Sequence, residues 1–123
     1  GHPYLVAEIN DTLAGFSYAS TFRKRPAYDH TLENAVYVSP EYLEKGIGVC
    51  LLNKLIEECI HLGFRQMIAV IGDSNNHPSL SLHTKCGFER VGLLPSTGFK
   101  HGRWVDTVLM QRSIGDGDKT SPS

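Results

Sequence analysis

The apolar and polar positions along the chain predict six strands and two helices. Tyr4 to Ile9 (YLVAEI) is a short apolar run that stops at Asn10-Asp11, a turn signal. Leu13 to Ala19 (LAGFSYA) resumes with aromatic and small residues, so the pair reads as a hairpin. Arg23-Lys24-Arg25-Pro26 is polar and basic, and its proline marks a loop. Leu32 to Ser39 returns to strand character and ends at Pro40. After Gly46-Ile47-Gly48 the period changes: Leu52, Leu55, Ile56, Cys59 and Ile60 recur at spacings of three and four, the stripe of an amphipathic helix. Gly63 stands where a left-handed C-cap is expected. Met67 to Ile71 (MIAVI) is continuously apolar, as in a strand covered on both faces. Asp73 to Asn76 is turn chemistry, and Pro78 to Lys85 is a short helix stopped at Gly87. Phe88 to Leu94 and Trp104 to Gln111 are strands, with Pro95 to Gly102 a loop between them. The order β-β-β-α-β-α-β-β describes an α/β domain built around one sheet.

From Gly115 the sequence GDGDKTSPS is small and polar and is expected to bury nothing. The expected division is therefore one domain over residues 1–114 and a flexible tail over 115–123. At 123 residues with 41% hydrophobic positions, the chain can build one real core. Twelve Lys plus Arg against thirteen Asp plus Glu leave a net charge of −1, which argues against a nucleic-acid binder and against a polybasic membrane anchor. Glu57, Glu58 and His61 interrupt the longest apolar stretch, so no membrane span is expected. The opening GHPYLVAEIN lacks the pattern of a signal peptide. Cys50, Cys59 and Cys86 are odd in number and unpaired in spacing, so a cytoplasmic location without a metal site is expected.

The segment with the most chemistry is Val36-Tyr37-Val38-Ser39-Pro40 leading to Glu44-Lys45-Gly46-Ile47-Gly48-Val49. A strand that reaches a glycine turn at a helix N-terminus gathers several unpaired N–H groups, and the helix dipole adds to their attraction for a phosphate. It is neither a Walker A loop nor a dinucleotide fingerprint, since both glycine patterns are absent. Alone, it reads better as an ordinary strand-to-helix turn.

Downstream, Asn76 to Phe88 carries N-x-x-S-x-x-L-H-x-x-x-G-F, with Ser79 and His83 inside it. Together the two segments resemble the GCN5-related N-acetyltransferases, or GNAT family. The run Arg25-Pro26-Ala27-Tyr28-Asp29-His30-Thr31-Leu32-Glu33 narrows the likeness. With Val70-Ile71-Gly72, Phe99 to Asp106 and Tyr4 to Glu8, it resembles the phosphinothricin acetyltransferase group from about Pro3 to Arg112. Two positions depart from the usual pattern: Leu43 replaces a Gln or Arg, and His83 replaces a Tyr.

The resemblance implies the acyl-CoA-binding fold, a mixed and mostly antiparallel sheet flanked by helices, here without the family's first strand and first two helices. It implies acetyl-CoA as cosubstrate and a small amine, an amino acid or its analogue, as acceptor. Val36 to Val38, Glu44 to Val49, Asn76 and Ser79 would hold the cofactor. Glu33 would be the general base, His83 the acid for the departing thiolate, and Val38 N–H the donor to the thioester oxygen. Arg25 and Tyr28 would grip an acceptor carboxylate, and Lys100 and Trp104 would shape the same end of the pocket or a dimer contact. A homodimer is expected. The alternative is a non-catalytic acyl-CoA-binding or dimerisation module.

Overall fold

Asn10 and Asp11 both take positive φ, 51° and 64°, and reverse the chain between two strands, β1 (Tyr4–Ile9) and β2 (Thr12–Thr21). This is the two-residue turn whose twist matches the strands it joins, and Asn and Asp tolerate it better than most residues. In the computed structural model, which describes residues 2–122, the chain continues through a single 3₁₀ turn (Pro26–Tyr28) into β3 (Thr31–Val38). Then follow α1 (Ile47–His61), β4 (Gln66–Ile71), α2 (His77–Lys85), β5 (Glu89–Lys100) and β6 (Arg103–Ser113). The strands form one six-stranded sheet in the order β1-β2-β3-β4-β6-β5. Every neighbouring pair is antiparallel except β3 and β4. The expected element order and mixed sheet are observed.

Both helices lie on one face of the sheet. Leu52, Leu55, Ile56 and Cys59 of α1 join Leu32, Met67, Ala69, Val108 and Met110 in the main core. Ser17 of β2 donates its hydroxyl to Leu51 O of α1, 3.2 Å, which fixes which face of β2 the helix covers. The stripe differs from expectation at its edges: Leu51 is buried, while Ile60 is 38% exposed.

The opposite face carries Tyr4, Phe16, Tyr18 and Tyr37 in a stacked row, with ring centroids 5.2–6.2 Å apart. Val70 of β4 also faces this side and is 44% exposed, so the expectation that β4 is covered on both faces is corrected.

Two further expectations change. The loop expected over Pro95–Gly102 is strand up to Lys100, and only His101 and Gly102 turn the chain. A register shift between Leu94 and Gly98 absorbs Pro95, and Asp106 accepts from Ser96 N, 2.9 Å, where Ser96 takes positive φ. A proline is tolerated there because β5 is an edge strand. The polar tail does bury something. Arg65 donates to the carbonyl oxygens of Gly117, Thr120 and Ser121 and to the Thr120 hydroxyl, at 2.8–3.1 Å, and Gly117 is buried.

Candidate functional site

β3 and β4 run parallel for only four residue pairs, from Thr31↔Gln66 to Asn34↔Ala69, and then part. Beyond that vertex, β3 has a free side. Ser39 N–H donates to Ala14 O of the β2 side, 2.7 Å. Alternation along the strand therefore turns the N–H groups of Val38 and Val36 the other way, toward the gap left by β4. These two donors have no ladder partner.

At the top of β3 the chain crosses a 3₁₀ turn (Pro40–Tyr42) and enters α1 through Glu44 at φ 61° and Gly46 at φ 79°. Positive φ at a glutamate is backbone strain, and such strain persists where the surrounding structure holds it. Cys50 N–H makes the first helical bond, to Gly46 O at 3.0 Å. The N–H groups of Ile47, Gly48 and Val49 are therefore without helical acceptors, and no side chain caps the turn. Gly48 packs closely against α2: a Cβ there would stand 3.3 Å from both Leu82 methyl carbons and 3.4 Å from Val38 Cγ2.

A cleft of about 660 Å³ opens between this turn and α2. Val38, Glu44, Gly46, Ile47, Gly48 and Val49 line it, so the structure brings most of the sequence-predicted cofactor residues together. The other wall is one face of α2, with His77, Ser81 and Lys85 at spacings of four. Sequence reasoning passed over these three, although the helical period was the signal that could have found them. Leu43 and Tyr42 complete the rim. An uncapped helix start, a glycine without room for a side chain and a nearby lysine together suit a phosphate-bearing ligand.

The remaining predicted residues lie elsewhere. Lys45 is exposed beside the cleft without lining it. The Tyr37 side chain stacks on Phe16, on the opposite face of the sheet. Asn76 caps α2, its side chain accepting from Ser79 N at 3.3 Å. Glu33, one residue before the vertex, is half-buried on the helix-free face, opposite Ser20 and Ile68. His83 is 4% exposed and does not line the cleft. Its Nδ1 is 2.8 Å from Ser79 O, its Nε2 is 3.1 Å from Asn34 Oδ1, and its ring meets Phe88 edge-on at 5.0 Å. Burial pulls its pKa below the ordinary imidazole range, against the opposing pull of the Ser79 carbonyl.

Arg25 and Tyr28 precede β3, whereas Lys100 and Trp104 stand beyond the C-terminal end of β4. Within one chain these two pairs occupy opposite ends of the sheet, which corrects the expectation that they share one end of a pocket. The β5–β6 end is instead tied to the loop before α2: Arg103 pairs with Asp73 at 2.9 Å, and Asp73 also accepts from Asn75 N. The Asn75 backbone N–H, with Arg103 and then Lys100, holds the Asp73 carboxyl below its usual range.

Known proteins share this arrangement. The family described as "Acetyltransferase (GNAT) family" matches residues 1–88. A phosphinothricin N-acetyltransferase of Alcaligenes faecalis is 52% identical over 122 residues, which are 99% of this chain and 62% of the relative. An L-methionine sulfoximine/L-methionine sulfone acetyltransferase of Salmonella typhimurium is 37% identical over 93% of this chain and 66% of its own length. The crystal structure of a phosphinothricin acetyltransferase of Sinorhizobium meliloti, in complex with AcCoA, superposes with a TM-score of 0.94 at 50% identity. That match covers 99% of this chain and 66% of the other. The chain thus spans a little under two thirds of the Alcaligenes relative it matches.

Proposed function

The chain belongs to the GNAT acetyltransferase family, and from that membership we propose that it is an N-acetyltransferase that takes acetyl-CoA in the cleft between α1 and α2. Its acceptor is the amino group of an amino acid or an amino-acid analogue of the phosphinothricin or methionine sulfoximine kind. The observation that carries the reading is the parting of β3 and β4 beyond Asn34, on a strand whose Val38 lines one cleft with the orphan N–H groups of α1's first turn. The names of the relatives support the acceptor class.

Acetyl-CoA, when bound, supplies the acetyl group as a thioester. The N–H groups of Ile47, Gly48 and Val49 hold its pyrophosphate, and Lys85 adds a positive charge. The N–H groups of Val36 and Val38 stabilise negative charge that develops on a carbonyl oxygen in the gap. Glu33 takes the proton that an ammonium acceptor must lose before its nitrogen can attack the acetyl carbon; the C–S bond then breaks and CoA leaves as a thiolate that takes its proton from water. Arg25 and Tyr28, at the same end of β3 as Glu33, hold the acceptor's carboxylate in this reading.

All three cysteines are free, which suits the reducing cytoplasm. A homodimer is part of this reading, supported by the apolar face that the helices leave open.

Acetyl-CoA should raise the melting temperature, because a ligand of the folded state stabilises it by mass action. Glu33→Gln should keep that shift and lose turnover with amino-acid acceptors by on the order of 10²–10⁴-fold, the usual worth of a positioned base. An absent thermal shift would count against the cleft, and wild-type turnover in Glu33→Gln against the base. A chain that binds acetyl-CoA but acetylates none of a panel of amino acids would favour a non-catalytic acyl-CoA-binding module.

A further inference from the structure

Three polar residues are buried in the described part of the chain: Ser17, Asn34 and His83. Ser17 is satisfied by α1. The other two are satisfied by each other. Asn34 lies at the last β3–β4 pair, and its side chain reaches both ways, with Nδ2 donating across the vertex to Ile68 O at 3.4 Å and Oδ1 3.1 Å from His83 Nε2. His83 continues the chain to Ser79 O in the first turn of α2. One line of polar contacts thus joins β4, β3 and α2 at the point where the strands separate.

We propose that Asn34 is a positioning residue which, acting through His83, sets the spacing of β3 and β4 at the vertex and thereby how deep a thioester enters the gap. The functional half of this inference rests on the acetyl-CoA reading of the cleft.

The proton bookkeeping limits what His83 can do. Ser79 O only accepts, so Nδ1 carries a proton. With Nδ2 of Asn34 turned to Ile68 O, its Oδ1 also needs a donor, and the ring must then hold two protons. A neutral ring is satisfied when the Asn34 amide turns over and donates from Nδ2 to Nε2; Oδ1 then faces Ile68 O, so the tie from β3 to α2 is kept and the contact to β4 is given up. In either state both ring nitrogens are engaged inside the fold, and neither has a proton to pass into the cleft. His83 is a strut, and the same contacts that bury it keep it from serving as the acid for a thiolate.

The test combines the long-range ¹H–¹⁵N spectrum of the His83 ring with acetyl-CoA affinity and turnover. Asn34→Leu removes the amide and keeps the branched shape of the side chain. The expected result is a moved Nε2 resonance, an unchanged Nδ1–H, and acetyl-CoA affinity lower by about tenfold, the scale of one lost buried hydrogen bond. His83→Leu should be impaired similarly, and His83→Gln, which still donates and accepts, should regain most of the loss. A His83 ring unaltered by Asn34→Leu would overturn the inference, as would His83→Gln as impaired as His83→Leu. If Asn34→Leu does not fold, Asn34→Ser, too short to reach the ring, is held to the same outcomes. Wild-type protein that binds no acetyl-CoA defeats the reading of the cleft. Wild type and Asn34→Leu binding it equally well defeats the strut alone.

Discussion

Glu33 and Asn34 are neighbours in sequence and face opposite sides of β3, one toward the helix-free face and one into the core beside α2. Glu33 stands out in the sequence because it closes a run of residues with a recognisable spacing. Asn34 does not: a single Asn in a strand is unremarkable until its partner, 49 residues away, is folded against it. The same distance hides from the sequence that His83 is buried against Asn34. Its buried ring has a consequence for pH. The folded state holds the ring neutral to lower pH than the unfolded chain, whose imidazole titrates near 6.5. Stability from this residue is therefore intact above that value and is lost as pH falls through the lower, folded pKa. Melting temperature should drop more steeply between about pH 6.5 and 5 in wild type than in His83→Gln. Parallel profiles would show that the ring carries no such linkage.

At the scale of elements, the legible parts were those with a strong period or a clear stop. α1 has its apolar stripe and Gly63 at φ 91°, and the β1–β2 turn has Asn-Asp. β5 was misread past Leu94 because Pro95 normally ends a strand, and the shift that accommodates it depends on Asp106 across the hairpin. The tail was misread because its anchor, Arg65, lies some fifty residues earlier: a basic residue before an apolar strand gives no sign that four donor contacts await it. The meeting of α1 and α2 at Gly48 also yields a prediction. Gly48→Val forces its side chain against Leu82 and Val38 and displaces the N–H groups of the first turn. The thermal shift with acetyl-CoA should largely vanish while the apo protein still melts cooperatively. A full shift in Gly48→Val would remove the turn from the ligand site.

For the whole molecule, the uneven coverage of the sheet matters most. One face is packed by two helices, and the other leaves Tyr4 60%, Val6 50%, Tyr37 45% and Val70 44% exposed. An apolar face of this kind is uncommon on a monomer, and an isologous contact between two copies covers it without leaving further surface. Light scattering should return twice the 13.6 kDa mass of the chain. A monodisperse species at the single-chain mass would count against the dimer.

Among the described residues, the four pairs between β3 and β4 are the only rungs that join the half-sheet β1-β2-β3 to the half-sheet β4-β6-β5. Along β3 the amides should therefore fall into two classes under hydrogen–deuterium exchange. Ala35 and Tyr37, which point into the β2 ladder, should be protected, and Val36 and Val38, their immediate neighbours, should exchange freely. A ligand lying in the gap would act as a strand's worth of missing rungs, slowing Val36 and Val38 and leaving Ala35 and Tyr37 as they were. Stiffness beyond the vertex would then come from the cosubstrate, and each release of product would return that part of the seam to freer motion.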